Sequence, residues 1–389
     1  MEASQVVTQV IKDKRNSLGL TQKEFADALG FSKYGDRTIR RWENGESTPS
    51  TLELKSIMSF ASAIPFPNVS EENAKFTFID LFAGIGGIRI PFSQLGGRCV
   101  FTSEWDKFAQ KTYSINFGEV PSGDITKIPS SDIPDFDILL AGFPCQPFSQ
   151  AGLKKGFSDT RGTLFFEIER IIQDKRPKAV LLENVKQLKG HDKGKTLAII
   201  LDHLDKLDYS VDVKVLRAAD FGVPQNRERL FIIGYDERLL QSGQDYQFIF
   251  PKPTCAKTCV GSILEKDVDE KFYISDKLYA GHLRRKEEHI RKGHGFGFSV
   301  VNKDTPYTNT ISARYYKDGS EILVEGENGK NPRKLTPKEC AGLQGFPKEF
   351  IIPVSDTQAY KQFGNSVTVP VIKLVAKMII NELERLNLI

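Results

Sequence analysis

An α/β fold with helices on both faces of a central sheet is predicted by short apolar runs that alternate with helical patterns from residue 76 onwards. Two further observations extend this prediction. Helical periodicity fills the first 62 residues. The alternation stops at Tyr235, and after it helical periodicity returns only at Val369. We therefore expect an N-terminal all-α domain (1–62), a linker (63–75), an α/β domain (76–236), an inserted small domain (237–356) and a C-terminal segment that packs back on the sheet (357–389).

The first 62 residues are typical of a bundle of short helices, predicted at 7–18, 21–29, 37–42 and 51–61. Gly19 ends the first, and a capping box from Thr21 to Glu24 opens the second. The phrases Thr-Gln-Lys-Glu-Phe-Ala and Arg-Trp-Glu-Asn-Gly resemble the repressor-type helix-turn-helix, with DNA-binding side chains expected at Arg37, Arg40 and Arg41. The alternative is a small bundle that docks on protein.

Six apolar runs after residue 75 predict strands, and the helical patterns between them favour parallel pairing. They lie at 76–81, 99–103, 136–141, 179–182, 211–216 and 230–234.

Composition limits the class of protein. With 389 residues, 40% apolar and 27% charged, the chain can bury two or three domain cores. We expect no signal peptide and no membrane span. Five scattered cysteines, an odd number, favour a reducing compartment, hence the bacterial cytoplasm, and Cys255 and Cys259 lack a second ligand pair for a metal. A net charge of +4 is mild, so a nucleic-acid footprint must come from local clusters.

The most informative segment is Gly-Phe-Pro-Cys-Gln-Pro-Phe-Ser at 142–149. It places Cys145 between two prolines directly after an apolar run, at the end of a predicted buried strand. A thiol fixed in this way suggests a nucleophile. The alternative is a buried cysteine in a tight turn.

Eight short blocks stand in one order. They are Asp-Leu-Phe-Ala-Gly-Ile-Gly-Gly at 80–87, Ser-Glu-Trp-Asp at 103–106, Gly-Asp-Ile at 123–125, the Pro-Cys block, Glu-Asn-Val at 183–185, Gln-Asn-Arg-Glu-Arg at 225–229, the segment 333–347 and Gln-Phe-Gly-Asn-Ser-Val at 362–367. In this order they resemble the C5-cytosine DNA methyltransferases over residues 76–389. The resemblance implies a mixed Rossmann-like sheet, S-adenosylmethionine as cofactor with S-adenosylhomocysteine as product, and double-stranded DNA as partner.

The cofactor is expected at the loop after the first strand and at the ends of the next strands. Gly84 and Gly86 allow a tight turn, Glu104 can accept hydrogen bonds from ribose hydroxyls, and Asp124 can accept one from an adenine amino group. The resemblance adds Phe82 stacked on adenine, with Ile125, Asn365 and Ser366 completing the pocket. Taken singly, the loop could be a structural turn and each acid a helix cap.

The catalytic chemistry requires attack at C6 of cytosine, since C5 alone is too weak a nucleophile. Cys145 is the predicted nucleophile, and Glu183 is the candidate proton donor to N3. Arg227 is the candidate for O2 of the base or for holding the active-site loop, with Gln225 and Arg229 as framework. The alternative for Glu183 is an exposed glutamate that opens a helix, and the alternative for Arg227 is an ordinary surface arginine.

The target base must leave the duplex, so other segments must hold the DNA. Candidates are the loop 149–163 with Lys154, Lys155 and Arg161, and the basic run that includes Arg284 and Arg285. The segment 310–316 resembles the recognition segment of relatives that act on CC-GG-type sites, with or without a central base. Thr310 and Arg314 are its predicted DNA contacts, with Arg314 reading guanine.

The sequence thus predicts a DNA cytosine-5 methyltransferase of a restriction-modification system that protects host DNA from a cognate restriction enzyme. We expect a nucleoid-associated protein that is a monomer in catalysis, and a dimer where residues 1–62 bind a palindromic operator near its own promoter. One rival is the same chemistry on RNA. Another is a DNA-binding regulator whose methyltransferase part is inactive.

Overall fold

The computed structural model describes residues 2–31, 34–61, 63–144, 164–254, 256–293, 297–327 and 329–389. Up to residue 61 it is a bundle of the helices α1 (Glu2–Ser17), α2 (Gln22–Ala28), α3 (Gly35–Glu43) and α4 (Thr51–Ser59). The predicted capping box of Thr21 and Glu24 opens α2, and Ser50 with Glu53 forms a second one before α4. The apolar faces meet in a core of their own around Phe25, Ile39 and Trp42. The predicted helical bundle is confirmed.

The central sheet of the described residues has the strand order β2-β1-β3-β4-β6-β5. Its strands are β1 (Phe76–Leu81), β2 (Gly97–Ser103), β3 (Ile138–Gly142), β4 (Ala179–Val185), β5 (Tyr209–Arg217) and β6 (Glu228–Asp236). The first four run parallel, but β6 is antiparallel to both of its neighbours. The prediction of a parallel sheet is therefore wrong for β6. Residues 218–227 are too few for a crossover helix, so the chain turns back on itself.

Helices cover both faces of this sheet because alternate residues of its central strands are apolar on each side. The first to follow are α5 (Arg89–Gln94), α6 (Lys107–Phe117), α7 (Leu164–Lys175) and α8 (Lys195–Asp205). Phe78 and Leu140 point into one core, whereas their neighbours Ile79 and Leu139 point into the other, which contains the buried faces of α7 and α8. The predicted mixed sheet with helices on both faces is confirmed.

Residues after β6 build a smaller, loop-rich region. Its elements are α9 (Asp276–Arg291), β7 (Val300–Val301), β8 (Leu323–Val324), β9 (Arg333–Lys334) and α10 (Pro337–Leu343). Many of its apolar side chains, among them Ile311 and Leu335, share a core with Ile85 and with Tyr113 of α6. This region therefore packs directly against the part of the sheet that carries the first glycine loop. Its boundaries at 237 and 356 remain predictions.

The chain ends in α11 (Asp356–Asn365) and α12 (Val369–Arg385). Ile372, Val375 and Ile379 of α12 lie in the same core as Phe78 and Leu140, so this helix packs against the sheet. The segment Asp356–Arg385 is long and apolar enough to cross a membrane by composition. However, 67% of its most apolar window is buried inside the protein, as in a core helix.

The predicted linker is packed along the protein and anchored by specific bonds. The Phe66 N–H donates to the carbonyl of Asn116 at 2.9 Å, and its ring lies 5.8 Å from that of Phe117. Asn68 exchanges two hydrogen bonds with the backbone of Cys99, of 2.7 and 3.0 Å, and so pairs with β2 at the edge of the sheet.

Candidate active site

The loop after β1 turns sharply because three of its residues have positive φ, namely Phe82 (55°), Gly84 (55°) and Gly86 (82°). A Cβ on Gly86 would stand 2.2 Å from the ring of Phe117, so this position admits no side chain. The loop is thereby pressed against α6. Phe82 is half-buried and faces a large cavity.

Glu104, directly after β2, is buried and accepts two backbone hydrogen bonds. Gly84 N–H donates to Oε2 and Asp106 N–H donates to Oε1, both at 2.8 Å. Burial raises the pKa of this carboxyl, although those two hydrogen bonds act in the opposite direction. The side chain thus ties the glycine loop to the start of α6. Each oxygen keeps a further lone pair for a ligand.

Asp124 does not lie at a strand end, which corrects the prediction made from the sequence. It precedes a short 3-10 helix (Ile125–Lys127) and caps it, accepting hydrogen bonds from Thr126 N–H at 3.1 Å and Thr126 Oγ1 at 2.8 Å. A hydrogen bond from Ser122 N–H to Thr102 O, of 2.8 Å, holds this segment alongside β2. Asp124 therefore still reaches the same cavity, by a route that the apolar pattern did not reveal.

One cavity of about 1810 Å³ brings together most of the predicted cofactor and catalytic residues. Those that line it are Phe82, Gly84, Glu104, Asp124, Ile125, Glu183, Arg227, Thr310, Asn365 and Ser366. Gly86 lies behind its wall, against Phe117. Trp105 was not singled out from the sequence, yet it lines the cavity with 79% of its surface exposed. Such an exposed indole beside a cavity is a ready stacking surface.

Glu183, near the end of β4, is a buried carboxyl that lines this cavity. Burial raises its pKa, and the nearby guanidinium of Arg229 acts in the opposite direction. Nε of Arg229 lies 3.2 Å from Oε1 of Glu183, an ion-pair distance, without the alignment of a hydrogen bond. Arg229 otherwise bonds the carbonyl of its neighbour Glu228 at 2.8 Å. Its guanidinium therefore lies beside the carboxyl, and the charge of the buried Arg227 acts on the pKa of Glu183 in the same direction.

Arg227 is used differently. It is 2% exposed, and its guanidinium donates to three backbone carbonyls, those of Ile311 and Gly364 at 3.2 Å each and that of Ser366. These bonds join the segment around residue 311 to the end of α11. Arg227 therefore ties together two segments of the cavity wall.

Gln225, a predicted framework residue, makes hydrogen bonds to two other segments of the chain. It accepts from Ile311 N–H at 3.1 Å and donates to the carbonyl of Leu343 at 2.9 Å. Both bonds are buried.

Asn184 fixes the chain just before the predicted nucleophile. Its Nδ2 donates to the carbonyl of Phe143 at 2.9 Å, and Pro144 lines the cavity. Cys145 follows at once, so the described chain leads to the rim of the cavity. Cys145 itself and the loop 149–163 lie outside the described residues.

The predicted DNA-reading side chains lie on three separate elements. Thr310 lines the cavity and donates to the carbonyl of Asn226 at 2.7 Å, while Arg314, four residues on, is exposed. Arg284 and Arg285 are exposed on α9, and Nη1 of Arg285 lies 3.1 Å from Oδ2 of Asp318. The three arginines of α3, at 37, 40 and 41, are also exposed.

Comparison with known proteins gives the class. A family model described as C-5 cytosine-specific DNA methylase matches residues 76–381, and a helix-turn-helix model matches residues 11–60. The chain therefore belongs to the C-5 cytosine-specific DNA methylase family.

Two curated relatives resemble nearly the whole chain. The type II methyltransferase M.SsoII of Shigella sonnei is 60% identical over 97% of this chain and 99% of its own length. The type II methyltransferase M1.ScrFI of Lactococcus lactis subsp. cremoris is 60% identical over 97% of this chain and 96% of its own. Among solved structures, Dnmt2 methyltransferase of S. pombe superposes with a TM-score of 0.64 at 20% identity over 80% of this chain and all of its own, which supports the fold.

The protein is accordingly a DNA (cytosine-5)-methyltransferase of the restriction-modification type that uses S-adenosylmethionine. Its partner is double-stranded DNA, and methyltransferases of this type act on DNA in the cytoplasm.

Proposed function

We propose that the cavity holds S-adenosylmethionine at one end and a flipped-out cytosine at the other, with Glu183 and Arg229 facing the base. The observation that carries this proposal is the buried Glu183–Arg229 pair, which lies in the same cavity as Glu104, Asp124 and Trp105. A site for methyl transfer between two molecules must bring both into one enclosure.

The cofactor end of the cavity fits an adenosine. Trp105 and Phe82 offer aromatic surfaces to the base, Glu104 has lone pairs for the ribose hydroxyls, and Asp124 faces the same space. Ser103 Oγ and Gln362 Nε2 are buried in the cavity wall without a hydrogen-bond partner among the described residues, as expected where a polar ligand completes the site. When bound, S-adenosylmethionine supplies the methyl group as a sulfonium substituent.

At the base end, Glu183 is the proposed proton donor to N3 of cytosine. Its raised pKa keeps more of it protonated near neutral pH than an exposed glutamate would be. Negative charge that develops on N3 is then neutralised by the proton of Glu183, and charge on O2 is stabilised by a guanidinium. We assign the contact with O2 to Arg229 in place of Arg227, because Arg229 lies beside Glu183, whereas Arg227 is held by hydrogen bonds to three carbonyls.

Cys145 is the proposed nucleophile at C6. Support comes from the sequence, and from the hydrogen bond by which Asn184 fixes the chain two residues earlier. Thiolate addition at C6 makes C5 electron-rich, so C5 can accept the methyl group. Loss of the C5 proton with expulsion of the thiolate then restores the aromatic ring.

The target is proposed to be a CC-GG-type site, with or without a central base, read by the segment around Thr310 and Arg314. Thr310 lies on the cavity and Arg314 is exposed nearby along the chain, so one segment can meet both the flipped base and its neighbours in the duplex. Arg284 and Arg285 of α9 are proposed to contact DNA as well.

The N-terminal helices are proposed to read an operator near the gene's own promoter, as a dimer on a palindrome, through Arg37, Arg40 and Arg41 of α3. The exposure of all three side chains supports this role. The catalytic part would remain a monomer.

Covalent trapping tests the catalytic proposal. A duplex that carries 5-fluorocytosine at the target position blocks release after methyl transfer, because C5 then has no proton to lose. We expect a protein–DNA adduct that survives denaturation, and none with Cys145→Ser, whose S-adenosylmethionine affinity should stay within a few fold of the wild type. An adduct of equal yield with Cys145→Ser would overturn the assignment.

A further inference from the structure

The helix α6 forms a wall of the cofactor cavity at its N-terminal end. Its cap, Asp106, donates its backbone N–H to Glu104, and Phe108 and Ala109 line the cavity. One turn further, Thr112 Oγ1 donates to Oε1 of Gln362 at 3.0 Å in a buried hydrogen bond. A ligand that orders the cavity wall would therefore also order α6.

Another face of α6 contacts the N-terminal helical bundle. Nζ of Lys111 lies 2.6 Å from Oε2 of Glu24 in α2, and the two side chains are only 18% and 13% exposed. Ile115, one turn on, packs against the bundle's core. Burial alone would raise the pKa of Glu24, but hydrogen bonds from Lys111 and Thr21 hold it below its usual value. The pair is thus a charge-assisted contact largely shielded from solvent.

Asp27 of α2 faces the charge of Asp356, at the start of the helix α11 whose far end carries cofactor residues. Asp27 is half-buried, and both its burial and the charge of Asp356 raise its pKa. Asp356 is the first residue of α11 and pairs with Nζ of Lys271 at 2.8 Å. Of the two helices that line the cavity, α6 contacts α2 directly through Lys111, and the first residue of α11 acts on α2 through its charge.

This docking leaves the recognition helix available. The contacts are made by α2, whereas Arg37, Arg40 and Arg41 of α3 are exposed. The bundle can therefore bind DNA while it stays docked on the catalytic part.

We propose that occupancy of the cofactor cavity and docking of the N-terminal bundle are thermodynamically coupled through the Lys111–Glu24 contact and α6. This inference rests on the proposed position of the cofactor. A cofactor that stiffens α6 favours the docked bundle, and by linkage a docked bundle favours the cofactor. The DNA-reading helix would then respond to whether the methyltransferase is loaded.

Amide hydrogen exchange of the full-length protein tests this coupling, with S-adenosylhomocysteine as the added ligand. Two peptides decide the outcome, one over residues 104–109 at the cavity wall and one over α2. In the wild type we expect the ligand to slow exchange in both, by about fivefold or more in α2. Lys111→Met should keep the slowing at 104–109 and lose it in α2.

Two further variants control this experiment. Glu24→Gln removes the charge of the same pair from the other side, while its amide oxygen can still accept from Thr21 N–H and from Lys111, so it should reduce the slowing in α2 without abolishing it. Lys206→Met removes a solvent-exposed lysine whose pair with Asp202 has the same length, 2.6 Å, and should behave as the wild type. Slowing at 104–109 without slowing in α2 of the wild type would overturn the coupling. No slowing at 104–109 would overturn the proposed cofactor site itself.

Discussion

Replacing Arg227 and Arg229 one at a time by methionine separates their roles. Arg227 makes three buried hydrogen bonds to backbone carbonyls, and bonds to a charged donor contribute about 1.5–3 kcal/mol each. Since such effects are not additive, we expect Arg227→Met to lower the free energy of unfolding by about 3–5 kcal/mol. Arg229 bonds only to Glu228 and approaches Glu183 at 3.2 Å among the described residues, and the buried Glu183 can take up a proton when this cation is lost, so Arg229→Met should lower the free energy of unfolding less than Arg227→Met does.

Catalysis should show the opposite order. Loss of one positioned donor to a developing oxyanion lowers the rate by about 10²–10³, so Arg229→Met should retain its fold and lose single-turnover methyl transfer to that extent. Urea unfolding measures the stability, and rapid-quench transfer of labelled methyl to duplex DNA measures the rate. Arg238→Met, at an exposed arginine paired with Asp236, is the control for loss of charge. Normal turnover in Arg229→Met, or wild-type stability in Arg227→Met, would refute this division of roles.

Four further predictions follow from the site and its surroundings. Glu183→Gln should lower the rate of single-turnover methyl transfer by about 10². It should also abolish the decline in rate that the wild type should show as pH rises through the raised pKa of this carboxyl. An unchanged profile of rate against pH would make Glu183 a structural residue. Glu104→Ala should weaken S-adenosylmethionine binding by about 1–3 kcal/mol, and equal affinity by calorimetry would exclude the contact. Burial raises the pKa of Asp80 from 3.8 to about 7, so the folded state of the wild type loses stability progressively as pH rises from about 4 to 7. Across that range Asp80→Asn should gain up to about 4 kcal/mol of stability over the wild type. A difference in the free energy of unfolding in urea that stays constant with pH would contradict this. Replacing the three exposed arginines of α3 by alanine should abolish footprinting of the upstream palindrome while methylation stays largely intact, and unchanged protection would remove the regulatory role.

The sheet was predictable because each central strand is a nearly continuous apolar run, and its strands begin and end within a few residues of the prediction. The antiparallel direction of β6 was not predicted, because it is decided by the length of the connection at residues 218–227. The position of Asp124 was not predictable from the apolar pattern either, because a backbone hydrogen bond between Ser122 and Thr102 holds its segment alongside β2. Residues from most of the blocks line one cavity, although they come from distant parts of the chain.

The roles of neighbouring arginines could not be predicted. Arg227 and Arg229 stand two positions apart in one motif, and what distinguishes them is which carbonyls lie nearby. Those belong to residues 311, 364 and 366, far along the chain. Docking of the N-terminal bundle is similarly hidden, because Glu24 and Lys111 are ordinary surface residue types in their own helices. The exposure of Trp105 likewise follows from the shape of the cavity and has no signal in the periodicity.

Bisulfite sequencing of DNA from a host that lacks cytosine-5 methylation tests the central claim most directly, after expression of the wild type and of Cys145→Ser. We predict conversion-resistant cytosines confined to one short CC-GG-type sequence in the wild type and none in the variant. Complete conversion of host DNA in the wild type, or equal resistance in both, would contradict it.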